Sequence, residues 1–410
     1  MVRTLLFLVM ITTVAFSVPV FQDYDYFIWF RNTGEFYSII KQLPLFEFLL
    51  SEKGAGFEQA AIKWVENRVD RPENFFQALS KEIVVCGKGN LEDLFTFNIN
   101  NLLSLPYRLK EGFIAFKTGA PQEFVESFAK LNTAEFYEKD DLYIIESSTP
   151  LYLRALGEYL VLSISRELLE KVQDEKTSFE SAPFVAHVKE LELFGKKGEA
   201  FLKANASVSQ LTLEITQKAK PFSVSKLEDL GQLPYSGDLY VFSGDSEISK
   251  ELLGEIFKGS DFEYFYRTFI DGSIMLASSL YGASELVLFV QNKSLKDVET
   301  DLISRGAERL GEEWELSVQN RPLRFFEYRG RLVISSMKKI EFLQAVNRRR
   351  LSNHPSFRFL EKQMPENVFL EMFLDLDSFL NKLLGFSPNS SLLLIGYVEG
   401  ETIKYRLEVM

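Results

Sequence analysis

The chain has 410 residues, of which 46% are hydrophobic and 25% are charged. This composition is sufficient for a large buried core and excludes a disordered chain. The formal net charge of −12 excludes the broad basic surface that nucleic-acid binding uses, so we expect no nucleic-acid partner.

The N-terminus has the layout of a secretory signal peptide. Arg3 precedes a short apolar run, and Ala15 and Ser17 supply small residues at positions −3 and −1 of a cleavage site after Ser17. The run is shorter than the roughly 20 residues that a membrane-spanning helix needs. We therefore predict that residues 1–17 are removed, that the mature chain lies outside the cytoplasm, in the periplasm or secreted, and that it has no transmembrane span.

A strongly apolar and aromatic stretch, "EFYSIIKQLPLFEFLLSEKG", lies in a predicted helical insertion over about residues 34–105. A helix pair of this kind commonly closes a core, but it can also line a groove for an acyl chain or cover a partner surface. In those alternatives Phe36, Ile39, Leu43 and Phe46 are the candidate groove residues.

The chain repeats one pattern. "PLYLRALGEYLVLS" begins at Pro150 and "PLRFFEYRGRLVIS" at Pro322, an offset of 322 − 150 = 172, and the same offset relates Pro183 to Pro355. Both stretches predict an antiparallel strand pair followed by a helix that begins at Ser165 or Ser336. Other predicted strands of the two parts lie near residues 83–85, 113–116, 274–277 and 286–290, and a hairpin turn lies at residues 399–400.

These matches predict an α+β fold of two tandemly duplicated modules, each a mainly antiparallel sheet with packed helices. We place module one, with its helical insertion, at residues 18–225, and module two at 226–410. The boundary falls in a segment with two prolines and several turn residues.

The sequence offers few residues for catalysis or metal binding. His187 and His354 are the only histidines, and neither has metal-ligand spacing. The pattern around His187 reads as a helix, and His354 precedes a proline in a turn. Cys86, the only cysteine, sits in an apolar strand pattern that favours a buried thiol. We therefore expect no catalytic residues, no cofactor and no metal site.

Three short motifs have ordinary structural explanations as well as functional ones. "SSMK", from Ser335 to Lys338, fits the S-x-x-K motif of penicillin-recognising enzymes, but the companion "KTG" precedes it and S-D-N is missing, so the start of a helix is favoured. Asp375 and Asp377 are spaced for Ca²⁺ binding or acid–base work, although Asp377 capping a helix is favoured. The arginines at 348–350 suit a helix C-terminus, and contact with an anionic partner is the alternative.

Several short motifs resemble a poorly characterised group of bacterial envelope proteins that contain a duplicated domain of unknown function. They are "DLYV" at 238–241, "GRLVIS" at 330–335 and "SNHPSF" at 352–357, with weaker counterparts at 157–163 and 178–184. The resemblance implies the α+β fold and an envelope location, and it implies no activity.

We therefore expect an exported, non-enzymatic binding or scaffold protein of the bacterial cell envelope. Its partner is an envelope protein. The alternative is a carrier of lipid or another hydrophobic ligand, which needs a cavity lined by apolar side chains. A serine hydrolase is a weaker alternative.

Overall fold

The computed structural model describes residues 16–89, 105–177, 182–224, 230–256, 272–279, 286–318, 321–362 and 364–410. The chain forms two compact units, which we call unit 1 (residues 1–191 and 198–209) and unit 2 (residues 192–197 and 210–410). This division assigns residues 210–225, which we predicted to end module one, to unit 2. The predicted boundary itself, between 225 and 226, lies outside the described residues, as do residues 1–15.

An antiparallel sheet forms the frame of unit 1. Its strands are β2 (Tyr26–Phe30), β3 (Ile83–Gly87), β4 (Gly112–Lys117), β5 (Glu135–Lys139), β6 (Leu142–Glu146), β7 (Leu151–Leu156), β8 (Tyr159–Ser163) and β10 (Phe184–Leu193). They pair in the order β10-β2-β3-β4-β8-β7-β6-β5. The long strand β11 (Lys196–Ser207) follows β10 in the chain.

Helices fill the connections between these strands. Between β2 and β3 lie α1 (Thr33–Ile40), α2 (Pro44–Leu50), α3 (Phe57–Glu66) and α4 (Pro72–Ser80). Later connections hold α5 (Leu105–Arg108), α6 (Pro121–Leu131) and α7 (Arg166–Lys171). Helix α6 carries its apolar residues on one face, and Phe124, Phe128 and Leu131 are buried in the core of the unit.

A separate antiparallel pair joins the N-terminal strand β1 (Phe16–Val20) to β9 (Gln173–Thr177). In its register Val18 lies opposite Glu175, and Val18 has no exposed surface. The cleavage that we predict after Ser17 would remove the first two residues of β1 and leave the rest of this pairing in place.

Unit 2 is also built on an antiparallel sheet. Its strands are β12 (Gln210–Lys218), β13 (Leu239–Ser243), β14 (Ile274–Ser278), β15 (Leu286–Val290), β16 (Glu308–Leu310), β17 (Glu313–Val318), β18 (Arg321–Tyr328), β19 (Arg331–Ser335), β20 (Val368–Asp375), β21 (Ser391–Glu399) and β22 (Thr402–Val409). They pair in the order β12-β22-β21-β20-β13-β14-β15-β19-β18-β17-β16.

The helices of unit 2 occupy connections between its strands. They are α8 (Ser246–Ile256), α9 (Leu295–Ser304), α10 (Lys339–Arg348), α11 (Pro355–Glu361) and α12 (Leu376–Leu384), with 3-10 turns at Leu230–Gln232 and Leu351–Asn353. Of the helices that the structure describes in either unit, none has the length and apolar composition needed to cross a bilayer.

Each sheet buries both of its faces. In β2, Tyr26 and Ile28 pack into one core cluster, whereas Phe27 and Trp29 pack into another. Strand β13 of unit 2 divides its residues between two clusters in the same alternating way. Because successive side chains of a strand point to opposite faces, a sheet covered on both sides needs nearly continuous apolar strands. This requirement explains segments such as "YFIWF" and "LYVFS".

The serine at the end of each repeated pattern closes a turn. Ser163 Oγ accepts a hydrogen bond from the Ser165 backbone N–H at 3.1 Å, and Ser335 Oγ accepts one from the Met337 N–H at 3.0 Å. Both serines are buried. A short hydroxyl at this position therefore satisfies a backbone donor where the strand turns towards the next helix.

The structure confirms the mixed α+β class, the antiparallel strand pairs at 151–163 and 321–335, and the hairpin turn at 399–400. Three local predictions were wrong. His187 lies in strand β10, not in a helix, because this segment pairs with β2. Helix α12 is capped by Asp375 instead of Asp377, and Lys338 instead of Ser336 occupies the N-cap of α10. The prediction that Ser165 caps a helix is confirmed.

Candidate binding site

Helices α1 and α2 of unit 1 are apolar, yet none of their residues is buried. Helix α2 reads "PLFEFLL", with Glu47 as its one charged residue. A helix that is apolar on all sides is normally enclosed by the core of its own protein or by a membrane. Here the side chains of both helices keep part of their surface available for contact.

The four predicted groove residues lie in this segment. Phe36 and Ile39 belong to α1 and Phe46 belongs to α2, and all three are partly exposed. Leu43, at the N-cap of α2, is fully buried. The structure thus places the four residues on two consecutive short helices and the turn that joins them, which we call the helical hairpin, and their role in ligand binding stays a prediction.

Three exposed aromatic side chains lie beside this hairpin, and we call them the aromatic face. Tyr37 is 37% exposed, Phe57 46% and Trp64 38%. Phe57 and Trp64 are seven residues apart on α3, so they share one side of the helix. Burial, and then the nearby carboxylate of Glu58, raise the pKa of Tyr37 to about 12, and Glu58 also pairs with Lys41 at the end of α1, so the start of α3 lies near α1.

Charged groups around the aromatic face nearly balance. Lys41 forms a 3.2 Å ion pair with Glu58 and lies 5.8 Å from the centre of the Tyr37 ring. The Arg68 guanidinium lies 4.6 Å from the centre of the Trp64 ring. Residues 33–68 hold five acidic and four basic side chains, a net charge of 4 − 5 = −1. Apolar contact, not net charge, is therefore the main interaction that this surface offers.

The larger cavities of unit 1 are polar. One cavity, of about 370 Å³, is lined by charged residues that include Asp23, Glu170 and Glu175. Another, of about 320 Å³, is lined by Asp70, Glu126 and other polar groups. Neither cavity includes the predicted groove residues, and neither has the apolar lining that a hydrophobic ligand requires.

His187 lies at the centre of a hydrogen-bonded chain in unit 1. The Tyr24 hydroxyl is 2.8 Å from Nδ1, Glu199 Oε1 is 2.9 Å from Nε2, and the Phe201 ring stacks on the imidazole at 4.5 Å. Burial, reinforced by nearby acidic groups, raises the pKa of Tyr24 to about 12. In the tautomer that satisfies both neighbours, the Tyr24 hydroxyl donates to Nδ1 and Nε2 donates to Glu199.

In unit 2 the buried carboxylate of Asp375 is the centre of the corresponding cluster. Its Oδ2 accepts a hydrogen bond from the Tyr235 hydroxyl and lies 3.7 Å from His354 Nε2, and its Oδ1 accepts from the Ser378 N–H at 3.1 Å. Burial lowers the pKa of His354 below its ordinary value, against the attraction of Asp375 and Asp377. His354 Nδ1 has no hydrogen-bond partner among the described residues.

A second buried carboxylate, Asp238, lies beside this cluster, since its backbone C=O accepts a hydrogen bond from the Asp375 N–H. Its side chain receives hydrogen bonds from Lys382 Nζ at 2.8 Å and Ser279 Oγ at 2.9 Å. Burial raises the pKa of Asp238, but the bonds from Lys382, Ser378 and Ser279 outweigh burial and hold that pKa below its ordinary value. The carboxylate is therefore ionised and fully satisfied inside the unit.

The other candidates for chemistry occupy buried positions. Ser335 has no exposed surface, and its Oγ is engaged in the turn with Met337. Cys86 is fully buried, and burial raises the pKa of its thiol. Over the described ranges, neither histidine is hydrogen-bonded to a serine or cysteine, and no group of three or more His, Cys, Asp or Glu side chains is placed to hold a metal ion.

Sequence reasoning missed both histidine clusters. Tyr24 and His187 are 163 positions apart, and Tyr235 and Asp375 are 140 apart. The sequence signal that could have pointed to these clusters was the rarity of histidine, which occurs only twice in 410 residues.

Comparison with known proteins gives structural likenesses, among them three crystal forms of one protein. No family model matches the chain, and no curated protein matches it. Crystal forms I, III and IV of TP0453 share 14%, 12% and 14% sequence identity with it, at TM-scores of 0.28, 0.25 and 0.26. The matches cover 45–46% of this chain and 93–94% of TP0453. At these TM-scores the likeness carries no statement about fold or function.

Proposed function

We propose that this chain is an exported, non-enzymatic binding protein of the bacterial cell envelope, and that it holds an envelope protein through the aromatic face of unit 1. One observation carries the proposal: two consecutive apolar helices, α1 and α2, contain no buried residue. Leaving that much apolar surface in water is unfavourable, and a partner that covers it recovers about 25 cal/mol for each Å² removed from water.

The chemistry of the aromatic face suits a protein partner. Tyr and Trp are enriched among the residues that dominate binding energy at protein interfaces, because each buries a large rigid surface and keeps one polar group. Tyr37 and Trp64 each lie close to a cation, Lys41 or Arg68, which remains available at the rim of such an interface. Truncation of such an aromatic residue typically weakens binding by about 2 kcal/mol.

The order of the strands supports the proposed tandem duplication. In unit 1 the pairing runs β10-β2-β3-β4-β8-β7-β6-β5, and in unit 2 the run β20-β13-β14-β15-β19-β18-β17-β16 repeats it position by position. Helices α6 and α9 lie at equivalent places, after β4 and after β15. The helices α1–α3 thus belong to a connection that differs between the two repeats, as connections that acquire binding functions commonly do.

A carrier of a hydrophobic ligand is the second candidate. It is favoured by the position of Phe36, Ile39 and Phe46, which are partly exposed next to the fully buried Leu43. An acyl chain lying along this hairpin would contact those three side chains, whereas a protein partner would cover Tyr37 and Trp64.

Native mass spectrometry of the chain, purified gently from the cells that produce it, distinguishes the two. We expect a complex with an envelope protein that disappears when Tyr37, Phe57 and Trp64 are changed to Ser. The matched control changes Ile303, Ile340 and Phe359 to Ser, because these unit 2 residues are at least as exposed. The control variant should keep the complex.

Other outcomes decide against the proposal. If the aromatic-face variant retains the partner, binding occurs elsewhere on the chain. If a bound mass is released as lipid on denaturation, and is lost in a variant with Phe36 and Phe46 changed to Ser, the chain is a carrier.

A further inference from the structure

A small pocket in unit 2 is surrounded by arginines. Its floor is formed by the apolar side chains of Met275, Phe289 and Val346, all nearly fully buried. Arg329 from the turn after β18, Arg331 at the start of β19 and Arg350 just after α10 also line it. We call this feature the arginine pocket.

Two of these guanidinium groups lack a neutralising partner. Arg329 Nη1 donates to Gln232 Oε1 at 3.2 Å, and Arg350 Nε donates to the Val346 carbonyl at 2.9 Å. Within the part of the chain that the structure describes, neither side chain has a carboxylate within 4.0 Å. Each therefore keeps a full positive charge and several N–H donors for a further acceptor.

The segment that supplies the three arginines is opposite in charge to the whole chain. Residues 328–350 hold seven basic side chains and one acidic side chain, a net charge of 7 − 1 = +6. The complete chain has a net charge of −12. At the pocket itself, Arg329 and Arg350 have no carboxylate partner among the described residues, and this makes the arginine pocket complementary to an anion.

The size of the pocket selects the kind of anion. The enclosed space is about 20 Å³, which holds about one water-sized group. Small-molecule sites usually enclose roughly 300–1,000 Å³, so this pocket does not bind a ligand by enclosing it. The guanidinium groups that line the pocket bind carboxylates through paired N–H···O bonds, a contact that needs no enclosed space.

We propose that the arginine pocket receives a carboxylate side chain on an acidic segment of another protein. Because Arg329 and Arg350 each keep N–H donors, a segment with several successive carboxylates can engage both groups, whereas a single carboxylate engages one. This site is independent of the aromatic face, which offers apolar contact and lies in unit 1.

The test is biolayer interferometry with immobilised hexaglutamate, and with immobilised hexaglutamine as the neutral probe. The chain should bind hexaglutamate and should not bind hexaglutamine. Binding to hexaglutamate should weaken as salt is added. Changing Arg329 and Arg350 together to Gln should raise the Kd by about tenfold or more. The Arg348→Gln variant is the matched control, because it removes one positive charge from the same surface outside the pocket, and its Kd should stay within about twofold.

Thermal melting of each variant verifies that it is folded. If the variant with both arginines changed is unfolded, the single variant Arg329→Gln is used in its place. The proposal is overturned if hexaglutamate does not bind, or if the pocket variants bind it as well as Arg348→Gln does. It is also overturned if succinate displaces hexaglutamate at an equal carboxylate concentration, since the pocket would then be a site for a free small acid.

Discussion

The two histidines of the chain lie in clusters of the same composition that are connected in different ways. In unit 1, His187 is the central group, with Tyr24 on one ring nitrogen and Glu199 on the other. In unit 2, the carboxylate of Asp375 is central, and His354 lies at the side of the cluster. Removing one partner of a ring that keeps a second partner costs little, whereas removing the acceptor that several donors share costs more.

The largest effect is expected for Asp375→Ala. This change removes the N-cap of α12 and leaves the half-buried Tyr235 hydroxyl without its acceptor. We expect the free energy of unfolding of unit 2 to fall by about 3 kcal/mol, measured by calorimetry or denaturant titration. A loss below about 1 kcal/mol would show that Asp375 is not the centre of the cluster.

Removal of each tyrosine hydroxyl compares the two clusters directly. Tyr235→Phe takes a hydrogen bond from a buried carboxylate, so we expect a loss of about 2 kcal/mol. Tyr24→Phe takes a hydrogen bond from an imidazole that keeps Glu199 as its other partner, so we expect a loss of about 1 kcal/mol. Equal losses of stability for the two variants would contradict the proposed difference between the two hydrogen-bonded clusters.

The smallest effect concerns pH. Because the pKa of His354 is lowered in the folded state, the unfolded chain binds the proton more tightly, and stability falls as the pH drops below the ordinary value of 6.5. Asp238, whose pKa is also lowered, loses its stabilising contribution only at pH values below its ordinary 3.8. Unfolding of the His354→Gln variant should therefore depend less on pH than that of the unchanged chain between about pH 7.5 and pH 5. If the stability of the His354→Gln variant varies with pH as steeply as that of the unchanged chain, His354 is not the group responsible for the pH dependence.

Local patterns in the sequence predicted much of the sheet. The strands at 159–163 and 331–335 follow from apolar runs that end in a buried serine, and the strand at 151–156 follows from alternating apolar residues, so each signal is contained within a few residues. The segment around His187 was wrongly predicted to be helical, because the apolar spacing of "FVAHVKEL" fits a helix and a strand alike. The contact that decides its structure is the strand pairing of His187 with Phe27. That partner is 160 positions away, as 187 − 27 gives, beyond the reach of any local pattern.

The candidate sites show the same limit. The apolar character of residues 36–46 was visible in the sequence, but the exposure of α1 and α2 depends on how little of the unit packs against them. The run at 348–350 was visible as charge, whereas the arginine pocket also needs Arg329 from a distant turn.

The N-terminal strand has a consequence for the order of folding. Val18 becomes buried against a partner strand at Glu175, 175 − 18 = 157 positions later. Closing a loop of that length costs chain entropy that local contacts cannot offset. A chain that emerges N-terminus first, from a ribosome or through a membrane channel, must therefore expose this strand until β9 has followed. Strand β1 thus appears early in synthesis, but it can pair only after β9 has appeared.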